Sequence, residues 1–477
     1  MAYKRDQERI LTGGMNLLPP GDKLAEGESL EVTNFRVDQQ GQLRSRQGFL
    51  SLITEFQGYM WPTAPDFFLH TLFRYAMHRY YGADLDLFRD GGLLANCIAK
   101  GIFTGSPLGM VAYQGFVWVM SQGPFGQVKD TGSLATAWVW TPVAPATAPT
   151  IGVLLGGGLT GSFQWYVTFS TAAAHESNPS PASATAVLAN QQVTLGIPVS
   201  TDPQVTIRRV WRANVTAGSE IASIYLDLVV NDNTSTNCFV GTNSDAELQA
   251  LGEIMPQTND PAPACLGVCE CFGKLIAWNS VANPNRFWWT PTAQPWYFPG
   301  SADPNAGQWN DCGSTDEQIL NIVPHGTYCT IYKERSIWQL PGDPNSYDPV
   351  QTSASVGLVA VGSTNTIGPN TVCSAGLRDY FWGARGIYSF NSLWEELRSQ
   401  KLDPMFKGDP AVLATDSGGS VTQQIQPVLS YQPGYAGYGS GMAYCNGLLY
   451  FAYSDQDTLS YFLVFNVETG TWVRFLF

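Results

Sequence analysis

Gly441-Met-Ala-Tyr-Cys-Asn446-Gly447-Leu-Leu-Tyr-Phe-Ala-Tyr453, followed by Tyr461-Phe-Leu-Val-Phe-Asn466-Val467-Glu-Thr-Gly470-Thr-Trp472, reads as strand, turn, strand, loop, strand, turn and strand. Asn446-Gly447 between apolar runs is a strong hairpin signal, because both central residues of a type I′ turn need positive φ. Four short antiparallel strands within about 35 residues make one β-propeller blade. Weaker copies recur upstream, with turn markers at Gly273, Gly326 and Asp379 before Gly447. The chain therefore reads as an all-β repeat protein of about six blades.

Composition agrees with that class. In 477 residues, charged side chains make up 13% against 44% hydrophobic, and the chain holds 48 Gly and 30 Pro. This profile fits a loop-rich β protein, either buried in a tight assembly or coated with uncharged polar residues. A formal net charge of −14 argues against sequence-reading nucleic-acid binding, which needs Lys and Arg for phosphates. Met1–Arg9 is polar and charged, so no secretory leader is expected at this start. No apolar run is long enough for a membrane helix, and the expectation is folding in a cytoplasm without membrane insertion.

Residues 1–60 form an extended N-terminal arm ending in a hairpin around Gln40-Gly41. Its basic cluster, Arg36, Arg44 and Arg46, is either solvated or a contact to an acidic neighbouring subunit or to DNA phosphates. First blades occupy 61–145, with Gln114-Gly115 in the turn slot that Asn446-Gly447 holds later. The Pro-rich joints Thr141–Thr150 and Asn259–Pro263 bracket a different pattern: strands separated by loops every ten or so residues, the mark of a small β-sandwich. Residues 146–262 are thus expected as an inserted sandwich, and 263–477 as the remaining blades. Ser392–Arg398, containing Glu395-Glu396, reads as a short loop helix.

Two features resemble a known family. The arm runs Gly13-Gly14-Met-Asn-Leu-Leu-Pro19-Pro20, then Glu31-Val-Thr-Asn34-Phe35-Arg36-Val37, then Gly41-Gln-Leu43-Arg44-Ser-Arg46-Gln-Gly48-Phe49. It looks like the opening of tail nozzle (tail-hub, packaged-DNA stabilization) proteins of short-tailed bacteriophages. The insert, with Trp165-Tyr-Val-Thr168, Glu176-Ser-Asn-Pro-Ser-Pro181 and Val205–Arg212, resembles a fibronectin type III domain. The first resemblance implies a virion tail protein assembled in the host cytoplasm. It would form a homohexameric ring below the portal and adaptor, contacting tail fibre or needle proteins. Such a ring holds packaged double-stranded DNA and conducts it during ejection without reading its sequence. Acidic residues eligible to line a channel are Asp84, Asp86, Asp245, Glu247, Asp316 and Glu317.

Enzyme chemistry finds little footing. There are four histidines, His70, His78, His175 and His325, and no Gly-x-Ser-x-Gly, His-Glu-x-x-His or phosphate-binding glycine loop. The carboxylate pairs Asp316-Glu317 and Glu395-Glu396 are adjacent, and adjacent residues on a strand point to opposite faces. Cys265-x3-Cys269-x-Cys271 lacks a second ligand pair at zinc spacing, which favours buried thiols. No catalytic residue, cofactor or metal site is expected. The alternative is a receptor- or carbohydrate-binding, even glycan-degrading, tail propeller. In that case Phe287-Trp288-Trp289 or Trp296-Tyr297-Phe298 would stack sugar rings.

Overall fold

The computed structural model describes residues 69–83, 85–91, 94–103, 108–122, 128–218, 223–300, 308–342, 350–353, 372–376, 378–383, 386–391, 395–407, 411–415, 421–425, 441–454 and 460–476. It also places four short strands of the arm: β1 (Gly14–Met15), β2 (Glu28–Ser29), β3 (Phe35–Val37) and β4 (Leu43–Ser45). β1 and β2 pair in parallel, β3 and β4 as an antiparallel hairpin.

Six four-stranded antiparallel sheets make the body. Blade one is β5 (Leu69–Tyr75), β6 (His78–Ala83), β7 (Asp86–Arg89) and β8 (Cys97–Ala99). Blade two is β9 (Gly109–Tyr113), β10 (Phe116–Met120), β11 (Val128–Asp130) and β12 (Trp138–Val139). The insert follows as β13 (Thr150–Thr171), β14 (Ala186–Gly196), β15 (Val205–Asn214), β16 (Tyr225–Val230), β17 (Asn237–Val240) and helix α1 (Asp245–Leu251). Blade three is β18 (Cys265–Cys271), β19 (Lys274–Ser280), β20 (Arg286–Trp289) and β21 (Trp309–Asp311). Blade four is β22 (Ile319–Pro324), β23 (Cys329–Lys333), β24 (Ile337–Leu340) and β25 (Val350–Ser353). Blade five is β26 (Val372–Ala375), β27 (Arg378–Gly383), β28 (Gly386–Phe390) and β29 (Glu395–Leu397). A two-stranded ribbon, β30 (Ala411–Thr415) and β31 (Val421–Ile425), precedes blade six: β32 (Gly441–Cys445), β33 (Leu448–Ser454), β34 (Ser460–Asn466) and β35 (Thr471–Leu476). This is a β-propeller, interrupted after its second blade.

The unbroken apolar runs of the blade strands follow from burial on both faces. On β10, Val117 and Val119 pack toward blade one, while Trp118 and Met120 pack toward blade three. On β19, Leu275 and Ala277 face blade two, and Ile276 and Trp278 face blade four. β22 repeats the alternation: Ile319 and Ile322 enter the seam with blade three, Leu320 and Val323 the seam with blade five. Tyr380 and Trp382 of β27 then turn to blade six, Phe381 to blade four. Each of these strands thus joins two seams, and each of the five consecutive seams has its own apolar cluster.

The tight turns between first and second strands behave as the residues demand. Asn446 and Gly447 have φ 50° and 81°, and Gln114 and Gly115 have 48° and 79°, both pairs as a type I′ turn requires. Because the blades run up and down, these turns share one end of the propeller. The blade-to-blade crossovers, the insert among them, leave from the other.

One expectation is corrected. Glu395–Leu397 is not helical: it pairs with Tyr388–Phe390 as the outermost strand of blade five. A fourth strand completing a sheet outweighs the local helical preference of Leu-Trp-Glu-Glu-Leu.

The insert is one continuous sheet in the order β16-β15-β13-β14-β17. The long β13 changes partner at Phe163: Thr150–Phe163 pairs with β14, and Phe163–Thr171 with β15. The two halves share a core of Phe163, Trp165, Val167, Val193, Leu195, Val210 and Val240. The layers expected of a sandwich are therefore two wings of one five-stranded sheet.

Candidate functional site

The arm residues come first. Arg36 of β3 and Arg44 of β4 are cross-strand partners in register, and Arg46 lies outside the described residues. β1 and β3 both lie against β35, the outermost strand of the last blade.

The second element is a cleft of about 350 Å³ at the crossover end of the propeller. It is bounded by Gln122 of blade two, Asn279, Val281 and Pro284 of blade three, and Asp316, Gln318 and Glu334 of blade four. A relay of side chains spans the three blades. Gln122 Nε2 donates to Asn279 Oδ1 at 3.1 Å, Asn279 Nδ2 to Gln318 Oε1 at 3.2 Å, and Gln318 Nε2 to Glu334 Oε1 at 2.7 Å. Asn279 also donates to Ile319 O at 2.8 Å. Its φ of 61° is left-handed, a conformation asparagine tolerates better than most residues. Neither histidine, cysteine nor lysine is among the described lining residues, so the cleft offers hydrogen bonds and negative charge but no nucleophile paired with a base.

The third element is the joint that fixes the insert to the propeller, and it was invisible in the sequence. Lys129 of β11 is fully buried; its Nζ donates to Trp140 O at 2.5 Å and to His175 Nδ1 at 2.8 Å. Its charge lies 5.7 Å from the ring centres of Phe116 and Trp118. His175, from the loop after β13, stacks on Trp296 of blade three at 4.8 Å. Lys129, His175 and Trp296 therefore bind blade two, insert and blade three into one cluster. Burial, only partly offset by the charge of Asp202, lowers Lys129 to about 7. Burial, and then the charge of Lys129, lowers His175 to about 3, so the imidazole is neutral and accepts at Nδ1.

Around that cluster, Ser177, Ser180 and Ser183 recur every third residue along one side of β13. Their hydroxyls accept from the backbone N–H of Phe169, Val167 and Trp165 at 3.0, 3.0 and 2.9 Å. Asn178 and Asn259 complete the joint: Asn178 Nδ2 donates to Asp260 Oδ1 and Asn259 Nδ2 to Glu176 O.

The other expected groups mostly do structural duty. Asp86 is buried and accepts from Gly101 N; Asp245 holds Arg212 and Asn214; Glu247 closes the capping box of α1; Glu317 accepts from Arg335 N and Ser336 Oγ. Asp84 lies outside the described residues, and Asp316 alone of the six lines the cleft. His78 Nδ1 meets Asp90 at 2.5 Å, and His325 Nε2 meets Asp379 at 2.9 Å, where Tyr332 also donates. His70 falls on β5. Cys269, Cys271, Cys312 and Cys329 are buried in the seam between blades three and four. Among the described residues no group of three or more His, Cys, Asp or Glu is disposed to hold a metal ion, and no helix is long and apolar enough to cross a membrane. The aromatic strips are core as well: Phe287, Trp288, Trp289 and Phe298 are buried in the blade seams.

Neither family models nor curated proteins match this chain. Solved structures do, at low similarity. Hsv2 of Kluyveromyces lactis (complete loop 6CD) aligns over 86% of this chain and 98% of its own at 6% identity and a TM-score of 0.29. A puromycin hydrolase aligns over 86% and 53% at 9% identity and 0.30, and a prolyl endopeptidase over 88% and 49% at 9% identity and 0.27. This chain thus spans about half the length of those two peptidases. At such scores no activity or partner carries over.

Proposed function

We propose that this chain is a structural subunit of the tail of a short-tailed bacteriophage. In this reading several copies, six in the family it resembles, form a ring-shaped nozzle below the portal and adaptor. The ring retains packaged DNA and conducts it at ejection, with no catalysis. The observation that carries the reading is the coexistence, in one chain, of the Asn34-Phe-Arg36 and Leu43-Arg44-Ser-Arg46 arm motif with a propeller interrupted after blade two. The described part of that motif, β3 and β4, pairs as a hairpin, and β3 lies against β35 of the last blade.

Two features of the packing bear on where a conduit would run. The innermost strands β9 and β18 approach so closely that a Cβ on Gly109 would stand 2.7 Å from Gly267 Cα. Beside them the first strands border a half-open cleft of about 260 Å³, room for roughly nine waters at their liquid volume. A DNA duplex does not fit along such an axis, so the channel of a ring would lie between copies. A net charge of −14 lets DNA pass such a wall without sticking, and the register pair Arg36 and Arg44 supplies local positive charge for an acidic neighbour or a phosphate. Negative-stain electron microscopy of the purified protein tests the reading: rings with an open centre are expected, and single compact particles at every concentration would count against it.

A second reading, a ligand-binding tail propeller, is favoured by the polar cleft across blades two to four. Saturable binding on a glycan array, lost in Gln318→Leu, is its expected mark. A blank array with well-folded protein would remove it.

A further inference from the structure

Charge is missing from a long part of this acidic chain. No Asp, Glu, Lys or Arg occurs between Asp130 and Glu176, and none from Ser177 to Thr201. One wing of the insert is built wholly from such residues: the first half of β13 with β14, flanked by the uncharged β17.

That wing has an open edge. β13 meets β15 only from Phe163 onward, while from Thr150 to Leu159 its described partner is β14 alone. One row of backbone donors and acceptors along Thr150–Leu159 is thus left without a strand partner among the described residues. Side chains there are exposed and apolar: Val153 is 66% exposed, Leu154 39% and Leu155 38%; two strands in from that edge, across β14, Phe239 of β17 is 60% exposed. The guards that usually blunt an edge, charged side chains and proline, are absent from Thr150 to Thr160, and only register shifts against β14 interrupt it. Exposed apolar side chains beside a strand edge that carries neither charge nor proline mark an interaction surface.

We infer that this β13 edge is where a second copy of the chain docks, by strand addition and burial of Val153, Leu154, Leu155 and Phe239. The occupant follows from charge. Two copies each carrying −14 repel wherever acidic faces meet, and this wing lets them approach with no like charges opposed. Strand pairing from a neighbour satisfies the idle backbone groups, and the apolar side chains are buried at the same time. The inference rests on the ring reading above only for the number of copies.

The test is solution mass by size exclusion with light scattering over a hundredfold concentration range. Wild type is compared with Val153→Lys/Leu155→Lys and, separately, Phe239→Lys, each checked for unchanged far-ultraviolet circular dichroism. Wild type should assemble, and the variants should fall to the 52.0 kDa single chain or need at least tenfold more protein to assemble. Assembly unaltered in both variants overturns this edge while leaving the ring reading intact. A dimer that the variants dissolve supports the edge and overturns the ring. A wild type that stays monomeric throughout, or that captures only an unrelated apolar strand peptide, overturns the inference.

Discussion

Replacing Lys129 by methionine probes the joint between insert and propeller most sharply. The folded protein holds this ammonium at about 7 against an ordinary 10.5, because burial among Phe116, Trp118, Trp140 and His175 opposes the charge. The unfolded chain therefore binds the proton more tightly, and between pH 7 and 10.5 stability rises with pH. Below pH 7 the full penalty is present; above 10.5 it is gone. The gap corresponds to roughly 5 kcal/mol at about 1.4 kcal/mol per pH unit. Lys129→Met removes this dependence, at a cost of about 1–3 kcal/mol for each of Trp140 O and His175 Nδ1 left unpaired. Urea unfolding followed by tryptophan fluorescence at pH 6.5 and 10 measures both proteins. The gain from pH 6.5 to 10 should be several kcal/mol larger in wild type than in the variant, other titrations cancelling in the comparison. Parallel pH profiles would refute the argument that Lys129 is buried against a charge penalty.

Other expectations concern single parts of the fold. Asp130→Asn should cost about 3 kcal/mol in chemical unfolding, because Asp130 is fully buried and accepts two bonds from Arg89 and one from Tyr80. Ser180→Ala strips the buried N–H of Val167 of the hydroxyl it bonds and should lose about 1–3 kcal/mol, with the loss centred on the insert in hydrogen exchange. Gly447→Ala tests the turn alone: φ is 81° and no atom lies within 4 Å of a new Cβ, so about 1–2 kcal/mol of backbone strain should appear as a lowered Tm. Excising 148–262 with a short bridge, in the Lys129→Met background, should leave a cooperatively unfolding propeller; loss of cooperativity in that deletion would show that the joint supports blades two and three.

The blades were legible because their signals are local. Asn446-Gly447 and Gln114-Gly115 dictate turns by backbone sterics, and runs such as Phe116–Met120 announce strands buried on both faces. Glu395–Leu397 misled because its neighbours favour a helix while its place in the fold is the fourth strand of a blade, a tertiary demand that no local pattern carries. The joint was hidden for a similar reason: Lys129 sits in an ordinary Val-Lys-Asp strand, and its burial is created by Trp140, His175 and Trp296 arriving from three separate segments. One signal was present and overlooked, the three-residue recurrence of Ser177, Ser180 and Ser183, which matches hydroxyls to the backbone of β13. The candidate acids read as equivalent in sequence because a carboxylate gives no sign of whether a cap, an arginine or solvent awaits it.

The most direct measurement is cryo-electron microscopy of the purified protein at a resolution that separates the blades. A closed ring is expected, its central opening bounded by several copies, with the first strands of each propeller packed as closely as Gly109 and Gly267 and no duplex-wide bore between them. Particles of one chain, or an opening running through the axis of a single propeller, would contradict it.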